Sequence, residues 1–170
     1  MKRFIVMIGW PGSGKSTYIE NNAPAGSVVL EGDAIRTMLG NGFYQYNEAY
    51  EDVVLNTIVS MAKSLISVCN CVIIDEAKLT LSVLDRIALS HNLSLGASNC
   101  SVEFIHINTD ADLCKQKRYR RPKQKQPKAW DSIIDWFVDM FEPIEDNEIR
   151  MYSVTEVDGN ESAKKVLGLG

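Results

Sequence analysis

The chain has 170 residues, enough for one domain with a single core and no need of staples, and 45 % apolar against 24 % charged residues is ordinary for a soluble globular protein. No stretch approaches a membrane-spanning length, and the apolar run behind the basic start "MKR" is too short for a signal-peptide core, which excludes membrane and secretory classes and implies a cytoplasmic protein. The net charge of −4 conceals an asymmetry: "KQKRYRRPKQKQPK", residues 115–128, holds 8 of the 18 Lys and Arg and no acid, so the rest is strongly acidic.

"RFIVMI" (3–8) reads as a first strand buried on both faces, ending at Gly9. A helix should open near Lys15 and fade in "NNAPAG", where Pro24 and Gly26 punctuate the chain. "SVVLEG" (27–32) reads as a second strand, 33–39 as a short helix and "GNGFYQY" as a loop. From about Glu48 to Val68, helical spacing of Val53, Val54, Ile58, Met61, Leu65 and Val68 predicts a long amphipathic helix. "CVIID" (71–75) is the third strand, 80–92 a helix, "SVEFIHI" (101–107) the fourth strand and 110–117 a helix leading into the basic segment. A helix at 129–141 shows Trp130, Ile133, Ile134, Phe137 and Phe141 on one face; "MYSVTEV" (151–157) and a helix at 161–167 follow.

Strands alternating with helices predict an α/β fold: one three-layer domain over 1–170, with a five-stranded parallel sheet and helices on both faces. Cys69, Cys71, Cys100 and Cys114 form no CxxC pair, and His91 and His106 stand alone; they read as small buried side chains in a reducing compartment.

"IGWPGSGKST" (8–17) contains Gly9-x4-Gly14-Lys15-Ser16 between a strand and a helix, the pattern and context of a phosphate-binding loop. Backbone N–H groups freed by the glycines and the helix N-terminus would meet an anion. The nucleotide site is then Gly9, Pro11, Gly12, Ser13, Gly14, Lys15, Ser16 and Thr17, taking ATP or another nucleoside triphosphate. Lys15 would reach the β- and γ-phosphates and Ser16 would ligate Mg²⁺. Acids follow two other strands. Asp33, with Arg36 three residues on, suits proton abstraction from an alcohol beside an acceptor phosphate; the other reading of Asp33 is a helix N-cap. Asp75 would ligate Mg²⁺ through water or hold Arg36. The segment 115–128 sits where a lid closes over phosphates, or is a solvated basic loop. Asp131, Asp135 and Asp139 read as a solvated ridge.

"GWPGSGKST", "DAIR", "YQYNEAYEDVVLNTIVSMAKSLI", "VIID" and the Arg-rich segment come in the order and spacing of the phage-type polynucleotide 5′-hydroxyl kinase domain, a P-loop kinase of adenylate-kinase-like architecture that the chain resembles over nearly its whole length. The resemblance implies that Asp33 activates a 5′-hydroxyl, Arg36 holds a 3′-phosphate, and Asp75 supports the acceptor. It implies that Arg121, with Arg118 or Lys117, supplies lid cations, and that a low-specificity nucleotide site lies near Asp158 to Asn160. The partners implied are 5′ ends of DNA or RNA, with a homo-oligomer left open. Glu76, Ala77 and Lys78 depart from the small polar residues usual there, and the Asp-x-Asp-Gly-Thr motif of an attached phosphatase domain is missing. Transfer to a hydroxymethylated base, nucleotide-sugar or small metabolite is the competing reading, and a nucleotide-dependent switch a third.

Overall fold

A strand that is apolar at every position needs cover on both faces, and this requirement layers the chain. In β1 (Lys2–Ile8), Phe4, Val6 and Ile8 enter one core cluster while Ile5 and Met7 enter a second on the opposite face. The computed structural model describes residues 1–95, 99–120 and 127–169. With β2 (Val28–Glu31), β3 (Cys71–Asp75), β4 (Cys100–Asn108) and β5 (Ser153–Asp158), β1 forms an all-parallel sheet in the order β2-β3-β1-β4-β5. The fold class is therefore the expected α/β architecture, a five-stranded parallel sheet with helices on both faces.

The first face is covered by α3 (Glu48–Leu65) and α4 (Val83–Ser94). Within α3 the inward stripe is Val54, Ile58 and Ala62, continued by Ile66, which corrects the reading from sequence. Val53 is 55 % exposed and Met61 41 %, and Val68 lies beyond the helix end at 81 % exposure. The spacing test admitted them because an apolar residue one position off the stripe still fits a helical period. The second face receives Ile19 of α1 (Lys15–Asn22), while Leu113 of α5 (Ala111–Tyr119) packs with Ala163 and Leu167 of α8 (Asn160–Leu167). All four cysteines are free, two buried and two half-buried, and burial lowers the pKa of His106 beside the Phe141 ring.

Two boundaries differ from expectation for local reasons. Helix α4 starts later than residue 80 because Ser82 and Asp85 cap it reciprocally: the Asp85 N–H donates to Ser82 Oγ at 3.0 Å and the Ser82 N–H to Asp85 Oδ2 at 3.2 Å. The preceding Ala77–Thr80 forms a short 3-10 helix instead. Residue 151 ends α7 (Asp146–Met151), a helix missed in the sequence because six residues carry too little periodicity, and β5 begins at Ser153. The remaining helices are α2 (Gly32–Leu39) and α6 (Pro127–Met140).

The short α7 is fastened by an ion pair with no solvent contact. Arg86 and Glu148 are both fully buried. Arg86 Nε donates to Glu148 Oε1 at 2.6 Å and Nη2 to Oε2 at 2.8 Å, while its other donors reach the carbonyls of Thr80, Leu81 and Pro143. The Tyr152 hydroxyl also donates to Glu148. Burial alone would raise the Glu148 pKa, but the bonds from Arg86 and Tyr152 outweigh it and hold the carboxyl low. We therefore expect Glu148→Ala to cost about 3–5 kcal/mol, because it strands a buried guanidinium. Urea unfolding at neutral pH checks this, and a loss below about 1 kcal/mol would refute the account. A carboxyl held below its unfolded value stabilises at neutral pH, and that share should vanish in the wild type as pH falls through the acid range below about 4.

Candidate functional site

The loop after β1 is shaped by what lies against it. Gly12 adopts φ +89°, and a Cβ there would sit 3.0 Å from the Cys114 carbonyl oxygen, so only glycine lets the loop meet α5. Thr109, just after β4, braces it: its Oγ1 donates to the Ser13 carbonyl at 2.8 Å and its carbonyl accepts the Trp10 indole N–H at 2.9 Å. Ser13 is buried, and its hydroxyl has no hydrogen-bond partner among the described residues. Lys15 Nζ donates to the carbonyls of Gly9 at 3.0 Å and Trp10 at 3.2 Å and stands 3.7 Å from Asp75 Oδ1.

Cations from α5 approach the same loop. Lys117 Nζ lies near Gly14, 3.6 Å from where a Cβ would be, and the Arg118 guanidinium lies over the Trp130 ring at 4.1 Å. Both residues line the cleft with Arg120. Arg121, and the segment 121–126 of the expected lid, lie outside the described residues. The unsatisfied Ser13 hydroxyl, the left-handed glycines and these ammonium and guanidinium groups fit a triphosphate. Ser16, exposed at the start of α1, fits the Mg²⁺ role expected of it, with Asp75 nearby on the strand end.

From the loop the cleft, about 890 Å³, runs across the carboxyl ends of β2 and β3 to Tyr44, Tyr46 and Trp136. Its floor is a charge network centred on Arg36, which is only 5 % exposed. Arg36 donates from Nε to Glu51 Oε1 and from Nη2 to Glu51 Oε2, each at 2.8 Å. Nη1 donates to Glu76 Oε2 at 2.8 Å and to Asp33 Oδ1 at 3.1 Å. Burial works against the charged guanidinium, but the carboxylates more than offset it and raise its pKa. Hydrogen bonds from Arg36, with help from Lys78 and against burial, hold Glu51 at about 2. Lys78 Nζ donates to Glu51 Oε2 at 2.8 Å and to the Tyr46 hydroxyl at 3.0 Å.

The expected roles look different in this geometry. Asp33 is not the N-cap of α2; that position is Glu31, whose side chain makes no capping bond, while Asp33 stands in the first turn with its side chain 65 % exposed. Arg36, read from the resemblance as the grip on an acceptor phosphate, has four donor directions spent on three carboxylates. Asp75 faces Lys15, and it is Glu76 that holds Arg36. The ridge of acids on α6 is not simply solvated. Asp135 pairs with Lys115 at 2.6 Å and Asp131 accepts from the Tyr119 hydroxyl at 2.5 Å, clipping α6 to α5. Near Asp158 to Asn160 the side chains serve local bonds, Asn160 Oδ1 accepting the Asp110 N–H and Asp158 Oδ1 the Asn160 N–H, and Ser162 and Val166 line the cleft instead.

Three residues of the floor had no place in the sequence reading: Glu31, Glu51 and the spacer Gly32. A Cβ on Gly32 would fall 1.7 Å from Glu76 Oε2 and 2.8 Å from Arg36 Nη1. We expect Gly32→Ala to push Glu76 off Arg36 and to lower acceptor-dependent turnover by roughly tenfold or more, since misplacing a catalytic group by about 1 Å costs up to about 10²-fold. Steady-state kinetics with ATP and acceptor varied separately would show it, and unchanged acceptor kinetics would refute it.

Residues 4–144 match the family model described as AAA domain. No curated protein matches the chain by sequence. Among solved structures, a sugar kinase from Janibacter sp. HTCC2649 is 21 % identical with a TM-score of 0.64, covering 100 % of this chain and 96 % of that one. A chain of the Pnkp1/Rnl/Hen1 RNA repair complex is 17 % identical with a TM-score of 0.60, over 83 % of this chain and 46 % of that one. The Mycobacterium tuberculosis APS kinase CysC, in complex with AMPPNP and APS, is 16 % identical with a TM-score of 0.58, over 99 % and 96 %. At these identities the likeness is one of fold. Among the described residues, no helix is long and apolar enough to cross a membrane.

Proposed function

We propose, from the premise that the chain belongs to the AAA domain family and has a P-loop kinase fold, that it is an ATP-dependent phosphotransferase acting on the hydroxyl of a small acceptor. The observation that carries this is Asp33: an exposed carboxylate oriented by Arg36, in the cleft that also holds Lys15 and Ser16. A nucleotide switch has no use for a positioned carboxylate across from its phosphates.

When bound, magnesium and ATP supply the transferable phosphoryl group and a metal charge beside it. Gly12, Gly14 and the start of α1 hold the phosphates, with Ser16 and Asp75 as the candidate metal side. Lys15, Lys117 and Arg118 surround the position where negative charge spreads during transfer. The acceptor hydroxyl would give its proton to an Asp33 carboxylate oxygen as its own oxygen bonds to the γ-phosphorus, while the bond from that phosphorus to the β-phosphate oxygen breaks and ADP leaves. Arg36 keeps that carboxylate in place, and Glu51 and Glu76 keep Arg36 in place.

The polynucleotide 5′-hydroxyl reading keeps one specific support, the cations of Lys115 to Lys128, which exceed what a triphosphate needs. Against it stands the Arg36 guanidinium, committed to carboxylates. Labelled ATP with a panel of small alcohols, hydroxymethylated DNA and 5′-hydroxyl oligonucleotides tests both. We expect transfer to a small alcohol that tolerates added salt. Transfer confined to oligonucleotides, with KM climbing steeply as salt releases counterions, would return the function to nucleic acid.

A further inference from the structure

Among the described residues, one carboxylate of the cleft has no hydrogen-bond or ion-pair partner. Glu31 ends β2, pairs in register with Asp75 of β3 and precedes Asp33 by two residues. It is exposed, it lines the cleft, and although it occupies the N-cap position of α2 it does not turn back to cap the helix. Its neighbours are occupied: Asp33 and Glu76 bond Arg36, Glu51 bonds Arg36 and Lys78, and Asp75 faces Lys15. Those two cations of the acceptor half are thus committed to three carboxylates, and Glu31 adds negative charge that nothing described offsets. Tyr44, 52 % exposed, and Trp136, 43 % exposed, line the same cleft and bring aromatic rings to it, with Lys78 Nζ 5.9 Å from the Trp136 ring centroid.

We infer that Glu31 is a specificity-determining residue of the acceptor site, turning away acceptors that bear phosphate or carboxylate and receiving hydrogen bonds from the hydroxyl or ammonium groups of a non-anionic polyol or amino-alcohol. The inference rests on the kinase reading above and names its acceptor class. An ionised carboxylate only accepts hydrogen bonds, so it matches groups that donate them. An anionic substituent beside it brings two like charges together, whereas an ammonium brings opposite ones. The aromatic faces suit either source, packing against the C–H face of a polyol ring or against an ammonium. The polarity of the cleft follows: its basic end takes the triphosphate and its acidic end takes a donor-rich partner.

The test is transfer from Mg²⁺-ATP to a panel in which each scaffold appears in neutral, amine-bearing, carboxylate-bearing and phosphate-bearing forms. Glucose, glucosamine, gluconate and glucose 6-phosphate form one set, and a nucleoside with its 3′-phosphate forms another. We expect the neutral or amine member to exceed its anionic counterparts in kcat/KM by roughly tenfold or more, and the ratio of those two members tells the polyol from the amino-alcohol. Glu31→Gln, an isosteric change at an exposed position, should bring the anionic members up to within about threefold of the neutral ones, while Glu31→Asp should keep the discrimination. An anionic member as the best acceptor, or discrimination unchanged in Glu31→Gln, overturns the inference and leaves the kinase reading standing. Absence of transfer to any member overturns the small-acceptor reading on which the inference rests.

Discussion

Lys15→Ala should lower phosphoryl transfer by roughly three orders of magnitude or more, while the protein unfolds at nearly the same temperature as the wild type. The two halves of this expectation have separate physical sources. Among the described residues, Lys15 Nζ is tied to the Gly9 and Trp10 carbonyls and, more loosely, to Asp75. The Gly9 carbonyl and the Asp75 side chain, 12 % exposed, border the cleft, and water entering it in place of the ammonium serves both, so the cost to stability should be small. During transfer, by contrast, the ammonium is a fixed positive charge where negative charge grows. Lys117 and Arg118 approach from α5 and keep residual ATP binding, so the loss should fall mainly on kcat. Radiolabel transfer and thermal melting on the same preparation measure both halves. Turnover within tenfold of the wild type would remove the loop from the chemistry, and a melting point lower by more than a few degrees would make Lys15 a structural residue.

The half of the cleft proposed for the nucleotide could be singled out in the chain because its signals are local. Gly9, Gly14, Lys15 and Ser16 lie within eight consecutive residues, and the apolar run of β1 announces the strand they follow. The layering was legible for the same reason: Phe4–Ile8 of β1 and Cys71–Ile74 of β3 are unbroken apolar runs between helical periods. The acceptor half was not, because it is assembled from distant residues. Arg36 meets Glu51 fifteen positions away and Glu76 forty positions away, and no spacing rule joins them. Asp33 and Arg36 could be singled out from "GDAIR", but nothing in that string says that the guanidinium is already spent on carboxylates. Glu31 escaped notice since it reads as part of the strand over 27–32, and only the register with β3 sets it beside Asp75. Lys78, a departure from the family pattern, becomes intelligible once its bonds to Glu51 and Tyr46 are seen. It carries the Arg36 network over to the segment between α2 and α3. Helix α7 is a further case, stabilised by a side-chain pair sixty-two positions apart and not by its own periodicity.

That separation between local and assembled signals makes Asp33 the residue where a mutation says most. Asp33→Asn preserves size and the oxygen that accepts from Arg36, and removes the ability to take a proton at neutral pH. If Asp33 is the base, transfer should fall by about two to four orders of magnitude with ATP affinity nearly retained. The alternative, that Asp33 serves the helix, predicts something else. The residue is past the cap position and makes no capping bond, so its contribution to α2 is limited to charge near the helix N-terminus, worth about 0.3–1 kcal/mol. An Asn variant that is slightly less stable but fully active would establish that lesser role. The two readings also part in where the loss falls: a lost base lowers kcat with every acceptor while Arg36 and its carboxylates stay assembled, and a lost helix charge leaves kcat unchanged. A variant that keeps the rate would move the proton acceptor elsewhere in the cleft, with Glu31 the nearest carboxylate in sequence to take the role.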